Sequence, residues 1–195
     1  LEIINEIILK YQADLIVFNA FNCNGNSKSD FSKPVFKDGI IDKTKFINSM
    51  FESYALNSMC MKAIRKDIID IKRDYTEFYK CNFGEDLLQS IPLVINSRKI
   101  FYTSQKLYDY RIASGMMRKY SSNYYLSYRK INQEIYRQLN EINFTNVKEK
   151  TYLHLIKVVY GAIVQSQFAA SCPTDDWKQI YQDDYFKSAY KYCED

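Results

Sequence analysis

Two different patterns of apolar residues follow one another in the N-terminal quarter of the chain. The first is helical, with isoleucines three and four residues apart at Ile3, Ile4, Ile7 and Ile8. Residues 14–21 then form a short apolar run with β-branched side chains, and residues 22–26 form a polar turn cluster. This order predicts a helix, a buried strand and a loop. A second helix, which Asp42 or Thr44 can cap, has an apolar face of Phe46, Ile47, Met50, Phe51 and Tyr54.

The middle of the chain contains an acidic loop that leads into an apolar segment. Glu85 and Asp86 end the loop and precede the apolar residues 87–95. Both carboxylates are therefore expected at a helix N-terminus, where the helix dipole favours negative charge. Pro92 should bend this helix because it removes a backbone donor.

Shorter segments flank this helix on both sides. Residues 59–64 are compact and apolar, and residues 65–69 are expected to begin another helix. Residues 99–103 and 106–111 have strand character and are separated by Ser104-Gln105. A hairpin or two neighbouring strands of one sheet would satisfy both of these segments.

Beyond Gly115 the pattern becomes helical. Apolar positions recur at helical spacing in two long stretches, at Tyr124, Tyr128, Ile131, Ile135, Leu139 and Ile142, and again at Leu153, Ile156, Tyr160, Ile163, Val164 and Phe168. Residues 173–177 contain a stop signal and a new N-cap for one last short helix, which includes Tyr181, Tyr185 and Tyr192.

Composition and charge narrow the function classes. A chain of 195 residues with 47% hydrophobic residues can bury one main core and an appendage. The net charge is +4, and the charges are interleaved along the chain, so the basic stripe expected of a nucleic-acid-binding protein is absent from the sequence. No apolar stretch reaches the roughly 18 residues that a membrane-spanning helix needs.

Cysteine and histidine usage excludes two kinds of active site. The five cysteines are scattered without a CxxC pair, which favours free thiols in a reducing cytosol. His154 is the only histidine in the sequence, so there is little material for a histidine-based zinc site or a Ser-His-Asp triad. Cys81 has no histidine nearby in the sequence to generate a thiolate, and we expect an inert thiol instead of a nucleophile.

Three segments occur in an order that is typical of one enzyme family. Residues 59–68 (MCMKAIRKDI) contain a lysine and a basic pair, residues 84–93 (GEDLLQSIPL) begin with a Gly-Glu-Asp triplet, and residues 99–111 end in LYDYR. In this order and spacing they resemble the acceptor half of family 2 glycosyltransferases of the GT-A fold. Cys60 and Met61 depart from the Trp and Asn that the family usually has there.

The resemblance implies a fold and a division of the chain. Residues 11–19 are similar to the strand that follows the family's donor-binding half. We therefore expect a mixed, helix-rich α/β fold, in which a partial GT-A sheet with covering helices occupies residues 1–115. A helical C-terminal extension is expected over residues 116–195.

The resemblance also implies an incomplete enzyme. The family's first half carries nucleotide-binding strands and a metal-binding Asp-x-Asp, and no such pair precedes Asp14. Leu1 begins a segment that looks like the middle of a helix, without an initiator Met. The chain is expected to be an inactive fragment, because the donor site is absent from it.

The expected parent enzyme transfers a sugar from a nucleotide-sugar donor, with inversion, to a glycan or lipid-linked acceptor. This is chemistry of bacterial cell-surface polysaccharide synthesis, in the cytoplasm or peripherally associated with the inner face of the membrane. The family implies Mn²⁺ or Mg²⁺ in the parent, whereas no cofactor is expected in this chain and no nucleic acid among its partners.

Roles for individual residues follow from the same resemblance. Asp86 is implied as the catalytic base and Glu85 as its neighbour at the substrate, because adjacent helical residues do not point the same way. Lys62, Arg111 and Tyr110 are further candidates for binding substrate. The residues themselves leave other interpretations open, since acidic residues often only cap a helix and exposed cations are often solvated. Tyr110 lies on an expected strand, where alternate residues face the core.

Two further hypotheses complete the picture. The sheet of a fragment would lack donor-side neighbours, so apolar side chains such as Ile16, Phe18 and Met59 are expected to be exposed, with a homodimer as the remedy. The alternative function, from a different class, is a non-catalytic helical interaction or carbohydrate-binding module with a Tyr-rich face.

Overall fold

The computed structural model describes residues 1–111, 120–169 and 173–194. Its α-helices are α1 (Glu2–Tyr11), α2 (Lys43–Met50), α3 (Glu85–Asn96), α4 (Tyr124–Glu141), α5 (Val147–Ser166), α6 (Thr174–Gln182) and α7 (Asp184–Glu194). Its strands are β1 (Leu15–Asn24), β2 (Ser27–Asp30), β3 (Gly39–Ile41), β4 (Lys62–Ile64) and β5 (Ile100–Arg111). The fold is mixed α/β, with a partial sheet and a helical C-terminal region, as predicted.

The chain divides into two compact units. The first, here called the sheet unit, comprises Leu1–Arg73 and Gln89–Ala113. The second, here called the helical unit, comprises Asp74–Leu88 and Ser114–Asp195.

Strand β1 organises the sheet. It pairs in parallel with β5, from Leu15 opposite Ile100 to Cys23 opposite Arg111, and β3 continues the sheet on the far side of β5. On its other edge β1 pairs antiparallel with β2 and β4. The first residues of β1 are buried, as expected for the apolar run of an inner strand with both faces covered. The prediction that residues 14–19 and 100–102 share one sheet is confirmed.

The predicted pair of β segments near residue 100 is a single strand. Residues 100–111 run continuously as β5, whose pairing register with β1 shifts twice near Asn19. The shift accommodates Ser104-Gln105, the two residues that were expected to separate two β segments. An irregularity of this kind absorbs extra residues within a strand and increases its twist, so no turn is needed.

The prediction that residues 65–69 begin a helix is also wrong. Residues 62–64 form β4, which pairs with the start of β1, and only one 3₁₀ turn follows at Lys66–Ile68. A helix does not form here because both the backbone and the side chain of Arg65 bond to Asp14. The Arg65 amide donates to the Asp14 carbonyl at 2.9 Å, and a guanidinium nitrogen lies 2.5 Å from the Asp14 carboxylate. These contacts hold the chain extended at Arg65.

The sequence predicted that the apolar side chains of Ile16, Phe18 and Met59 are exposed. This prediction is wrong for Ile16 and only partly correct for Phe18 and Met59. Ile16 is 1% exposed, because it packs in a cluster with Ile7 of α1 and Phe101 of β5. Phe18 and Met59 are half-buried. Helix α1 thus covers apolar surface that was expected to need a partner.

The helical unit has its own apolar core. It is formed by Phe83, Tyr124, Tyr125, Tyr128, Leu155, Val158, Ala162, Ile180, Phe186 and Ala189. Helices α4 and α5 confirm the two long helical stretches. The single last helix is instead two, because Asp183 is extended and its carboxylate accepts hydrogen bonds from the amides of Tyr185 and Phe186 at 2.8 and 3.1 Å. These bonds begin α7.

Candidate active site

The site predicted from sequence is the start of α3, and Gly84 shapes it. Gly84 has a φ of +83°, a left-handed conformation that side-chain-bearing residues adopt only with strain. Its carbonyl accepts from the Leu88 amide at 3.1 Å, which opens the helix. The chain therefore turns sharply at Gly84 and presents the next two residues in the first helical turn.

Those two residues are Glu85 and Asp86, so the predicted position of Asp86 at a helix N-terminus is confirmed. Both side chains belong to half-buried residues. Burial raises the pKa of Glu85, and the neighbouring charge of Asp86 adds to this effect, although a backbone hydrogen bond opposes it. A raised pKa makes a carboxylate a better proton acceptor in the transition state.

The packing around this turn holds the carboxylates in place. Leu87, Leu88 and Ile91 of α3 are at most 2% exposed, which fixes the rotation of the helix. Immediately before the glycine, Phe83 makes an edge-to-face contact with Tyr124, with 5.0 Å between ring centroids. Polar groups at the start of α3 thus rest on a rigid apolar base.

An open groove lies in the helical unit, beside the loop that leads to Gly84. The loop supplies Glu77, Lys80 and Cys81, and α4 supplies Ser127 and Lys130. Lys130 donates to the Glu77 carbonyl, which ties loop and helix together. Burial raises the pKa of the Cys81 thiol, so it is protonated at neutral pH, in line with an inert thiol.

Lys62 lies in the sheet unit and is 9% exposed. Its ammonium donates to the carbonyl oxygens of Leu56 and Ser58, both at 2.7 Å. These bonds close the loop that precedes β4 and satisfy a charge that is costly to bury. The side chain is therefore not a solvated surface cation, and its substrate role stays a prediction.

Arg111 and Tyr110 end β5. Both are exposed, and Tyr110 contacts Phe31 edge-to-face at 5.3 Å. They pair with Cys23 and Asn22 at the carboxyl end of the parallel β1–β5 pair. Ligands of open α/β sheets bind at this end of parallel strands. The position of Arg111 and Tyr110 therefore suits a substrate contact, and that role stays a prediction.

Asn19 is a polar residue that the sequence analysis did not single out. Its amide donates to the Ser32 carbonyl at 3.0 Å, and the side chain lines a small cavity in the sheet unit, which Tyr102 also lines. An asparagine inside an apolar strand was the signal that could have found it, since buried polar side chains need partners.

Metal-ligand clusters and membrane-spanning helices are both absent from the described residues. In these ranges no group of three or more His, Cys, Asp or Glu side chains could hold a metal ion. None of the helices in the same ranges is long and apolar enough to cross a bilayer. Four described cysteines are free thiols, and Cys172 lies outside the described residues.

Comparison with known proteins identifies solved structures with a similar fold. No protein-family model and no curated protein matches the chain. Among solved structures it is similar to S. aureus TarS 1–349 in complex with UDP-GlcNAc, with a TM-score of 0.53 and 16% identity over 96% of this chain and 50% of that one. For TarS 1–349 in complex with UDP, the TM-score is 0.47 and the identity 16%, over 81% of this chain and 41% of that one.

The chain thus spans half or less of the length of the TarS chains it matches. At 16% identity, the similarity to the UDP-GlcNAc complex of TarS shows a shared fold and nothing beyond the fold. The chain has a glycosyltransferase-like fold.

Proposed function

We propose that this chain is the acceptor-side part of an inverting nucleotide-sugar glycosyltransferase of family 2. In this proposal residues 1–115 belong to the GT-A domain and residues 116–195 form its C-terminal extension. The observation that carries it is the pair of half-buried carboxylates, Glu85 and Asp86, in the first turn of α3 directly after Gly84. The glycosyltransferase-like fold and the ordered sequence motifs support it.

The proposed reaction is a direct displacement. The oxygen of an acceptor hydroxyl bonds to the anomeric carbon of the donor sugar, while the bond from that carbon to the nucleoside diphosphate breaks. The attack comes from the side opposite the leaving group, which inverts the anomeric configuration. The hydroxyl proton passes to a carboxylate, for which we propose Asp86, with Glu85 holding the acceptor.

The proposal gives the two carboxylates different roles. Glu85 has a raised pKa and can donate a hydrogen bond when protonated, which suits contact with an acceptor hydroxyl. Asp86 is the residue that the family resemblance implies as base. An acceptor in the groove beside residues 76–81 would approach this turn within the helical unit.

The donor and the metal are proposals for the intact protein. The described residues offer no ligand cluster for Mn²⁺ or Mg²⁺, so none of the steps above passes through a metal. TarS was crystallised with UDP and with UDP-GlcNAc, and we propose a nucleotide sugar as the donor here too. A glycan or lipid-linked acceptor, a cytoplasmic location at the inner face of the membrane and a homodimer belong to the same proposal.

The test is a comparison of variants in the full-length protein, supplied with nucleotide sugars and Mn²⁺ or Mg²⁺. Asp86→Asn keeps the shape but cannot take the proton, so turnover should fall roughly 10²–10⁴-fold with donor binding unchanged. Glu85→Gln should raise KM for the acceptor more than it lowers kcat.

Asp175→Asn is the matched control, because Asp175 also lies in the first turn of a helix but its side chain is 96% exposed. It should turn over at the wild-type rate. Wild-type turnover by Asp86→Asn would remove the proposed base. A full-length sequence without a strand-rich segment and an Asp-x-Asp before Leu1 would remove the transferase proposal itself.

A further inference from the structure

The open groove beside residues 76–81 has room for a small ligand. Its volume is about 370 Å³, within the roughly 300–1,000 Å³ that is usual for ligand sites. One wall is the loop of residues 76–81 and the other is the start of α4, so the groove lies entirely within the helical unit. The space is large enough for one pyranose ring with its substituents.

Two lysines bring positive charge to this groove without a carboxylate partner. The Lys130 ammonium donates to the Glu77 carbonyl and lies 5.1 Å from the centroid of the Phe78 ring, which holds it in place. The Lys80 ammonium has no hydrogen-bond or ion-pair partner in the described part of the chain. By contrast, the exposed Lys187 of α7 pairs with Asp184. Both ammonium groups at the groove are therefore available to an anion.

The charge of the groove fits a ligand with one negative charge. Among the residues that line it, two lysines against the single carboxylate of Glu77 leave a net charge of +1. Asp74 does not line the groove, and its carboxylate accepts from the amide and the hydroxyl of Thr76. A carboxylate carries one negative charge at neutral pH, whereas a phosphate monoester carries about −1.5 to −2. The balance favours a carboxylate.

Tyr79 adds an aromatic surface to the same groove. Its side chain is 85% exposed and makes no hydrogen bond or ring contact with another described residue. An aromatic ring packs well on the apolar C–H face of a sugar, and its hydroxyl can bond a sugar hydroxyl. Leu126 of α4 supplies a further apolar side chain. The groove thus combines a surface for a sugar ring with two cations.

We infer that this groove binds an acidic sugar of the acceptor glycan, a pyranose ring that carries a carboxylate. The ring packs on Tyr79, and the carboxylate is bound by the ammonium groups of Lys80 and Lys130. The assignment of this sugar to the acceptor rests on the proposed function, whereas the binding of an acidic sugar does not.

Helix α4 links the groove to the proposed base. Ser127 lines the groove, and the ring of the next residue, Tyr128, packs against Gly84. Gly84 directly precedes Glu85 and Asp86 in the first turn of α3. The same helix therefore forms a wall of the groove and supports the turn that carries the two carboxylates, so an acceptor sugar and the base would share one rigid support.

Binding can be measured on the chain of 195 residues, without donor or turnover, by NMR titration of the ¹⁵N-labelled protein. The probes are methyl β-D-glucuronide and methyl α-D-galacturonide, each compared with the neutral glycoside of the same ring. At least one uronide should bind with a dissociation constant of roughly 1 mM, the affinity that ordinary ligand efficiency gives a single ring. It should bind roughly tenfold more tightly than its neutral counterpart, and more weakly as salt is added.

Variants separate the contribution of charge from that of the aromatic ring. Lys80→Met keeps the apolar stem but removes the charge, so it should weaken uronide binding roughly tenfold and leave neutral glycosides unaffected. Tyr79→Ala should weaken both kinds of ligand alike. Lys187→Met is the matched control, because it removes the same charge from an exposed position of the same unit. It should bind like the wild type.

Glu77→Gln tests the sign of the electrostatic effect. It removes the one carboxylate that lines the groove, so uronide binding should become several-fold tighter, while the neutral glycosides should bind as before. An unchanged or weaker affinity for the uronide would contradict the charge argument.

Equal affinity of the Lys80 and Lys187 variants for the uronides would overturn the site. The same holds for a wild-type protein that shows no saturable shift with either uronide, or that binds glucose 6-phosphate more tightly than both. Asp86→Asn should bind the uronides normally while it loses transfer in the full-length protein, so failure of this site and failure of the proposed base are separate results.

Discussion

A Cβ on Gly84 would lie 2.8 Å from two ring carbons of Tyr128. The aromatic ring of α4 thus rests directly on the backbone of the turn that begins α3. Two constraints meet at this residue, because its φ is +83° and because there is no room for a side chain. Glycine is required here by the packing as well as by the backbone.

Gly84→Ala should therefore destabilise the protein by about 2–4 kcal/mol, the sum of left-handed strain and overpacking against Tyr128. Gly25→Ala is the matched control, since Gly25 has a φ of +58° but no atom within 4 Å of an added Cβ. Its cost should be only about 1 kcal/mol, from the backbone alone. Urea unfolding compares the two, and equal losses would contradict the packing argument.

His154 should make stability depend on pH below neutrality. It is 1% exposed, its Nδ1 lies 2.8 Å from Asn132 Oδ1, and burial lowers its pKa to about 4, with a smaller contribution from Lys157. The unfolded chain, with a His pKa of about 6.5, binds the proton more strongly. The free energy of unfolding should therefore fall as the pH drops from about 6.5 to 4, by about 2 kcal/mol at pH 5.

Urea unfolding at pH 7.5 and pH 5 measures this loss. His154→Gln isolates it from the carboxylates, because His154 is the only histidine. The variant should lose about 2 kcal/mol less than the wild type between the two pH values. An identical pH dependence in both proteins would show that His154 takes up its proton in the folded state.

Asp183 and Asp184 are adjacent but should differ in their contribution to stability. One oxygen of Asp183 caps α7, and the other lies 2.5 Å from Nε of Arg129. Asp183→Ala should cost about 2 kcal/mol, because it removes an N-cap and the partner of a half-buried cation. Asp184→Ala should cost less than ~0.5 kcal/mol, since its side chain is 96% exposed. Thermal melting of both variants checks the difference.

Asp14 should be the most sensitive carboxylate of the sheet unit. It is 3% exposed and accepts from the amides of Arg98 and Lys99 at 2.6 and 2.9 Å, in addition to its ion pair with Arg65. Asp14→Ala should cost about 3 kcal/mol, because two backbone amides and the Arg65 guanidinium lose an acceptor that is itself buried. Asp67→Ala removes only the exposed partner of Arg65 and should destabilise the protein far less than Asp14→Ala. Similar losses in chemical denaturation would contradict this account.

Local physical chemistry made much of the fold predictable. Helices α4 and α5 follow from apolar positions three and four residues apart, and β1 follows from a β-branched run that ends in a turn cluster. The cap at Asp42, whose carboxylate accepts from the Lys45 amide at 2.8 Å, is a contact within three residues. The start of α3 at Glu85 was predictable for the same reason, because the signals for a helix end lie next to it in the chain.

The tertiary structure decided what depends on residues far apart in sequence. Nothing near residue 104 says that β5 continues, because its pairing partner is β1, more than 80 residues away. The extended conformation at Arg65 depends on Asp14, and the buried ammonium of Lys62 depends on the path of the loop before it. In the sequence, Gln165 looks like any other polar residue of a helix. Only the packing of α4, α5 and α6 buries its amide, which has no hydrogen-bond partner among the described residues. Sequence alone therefore determined most of the helices, strand β1 and the place of the carboxylates at a helix N-terminus, whereas the surroundings that give these side chains their chemistry come from contacts that no local pattern contains.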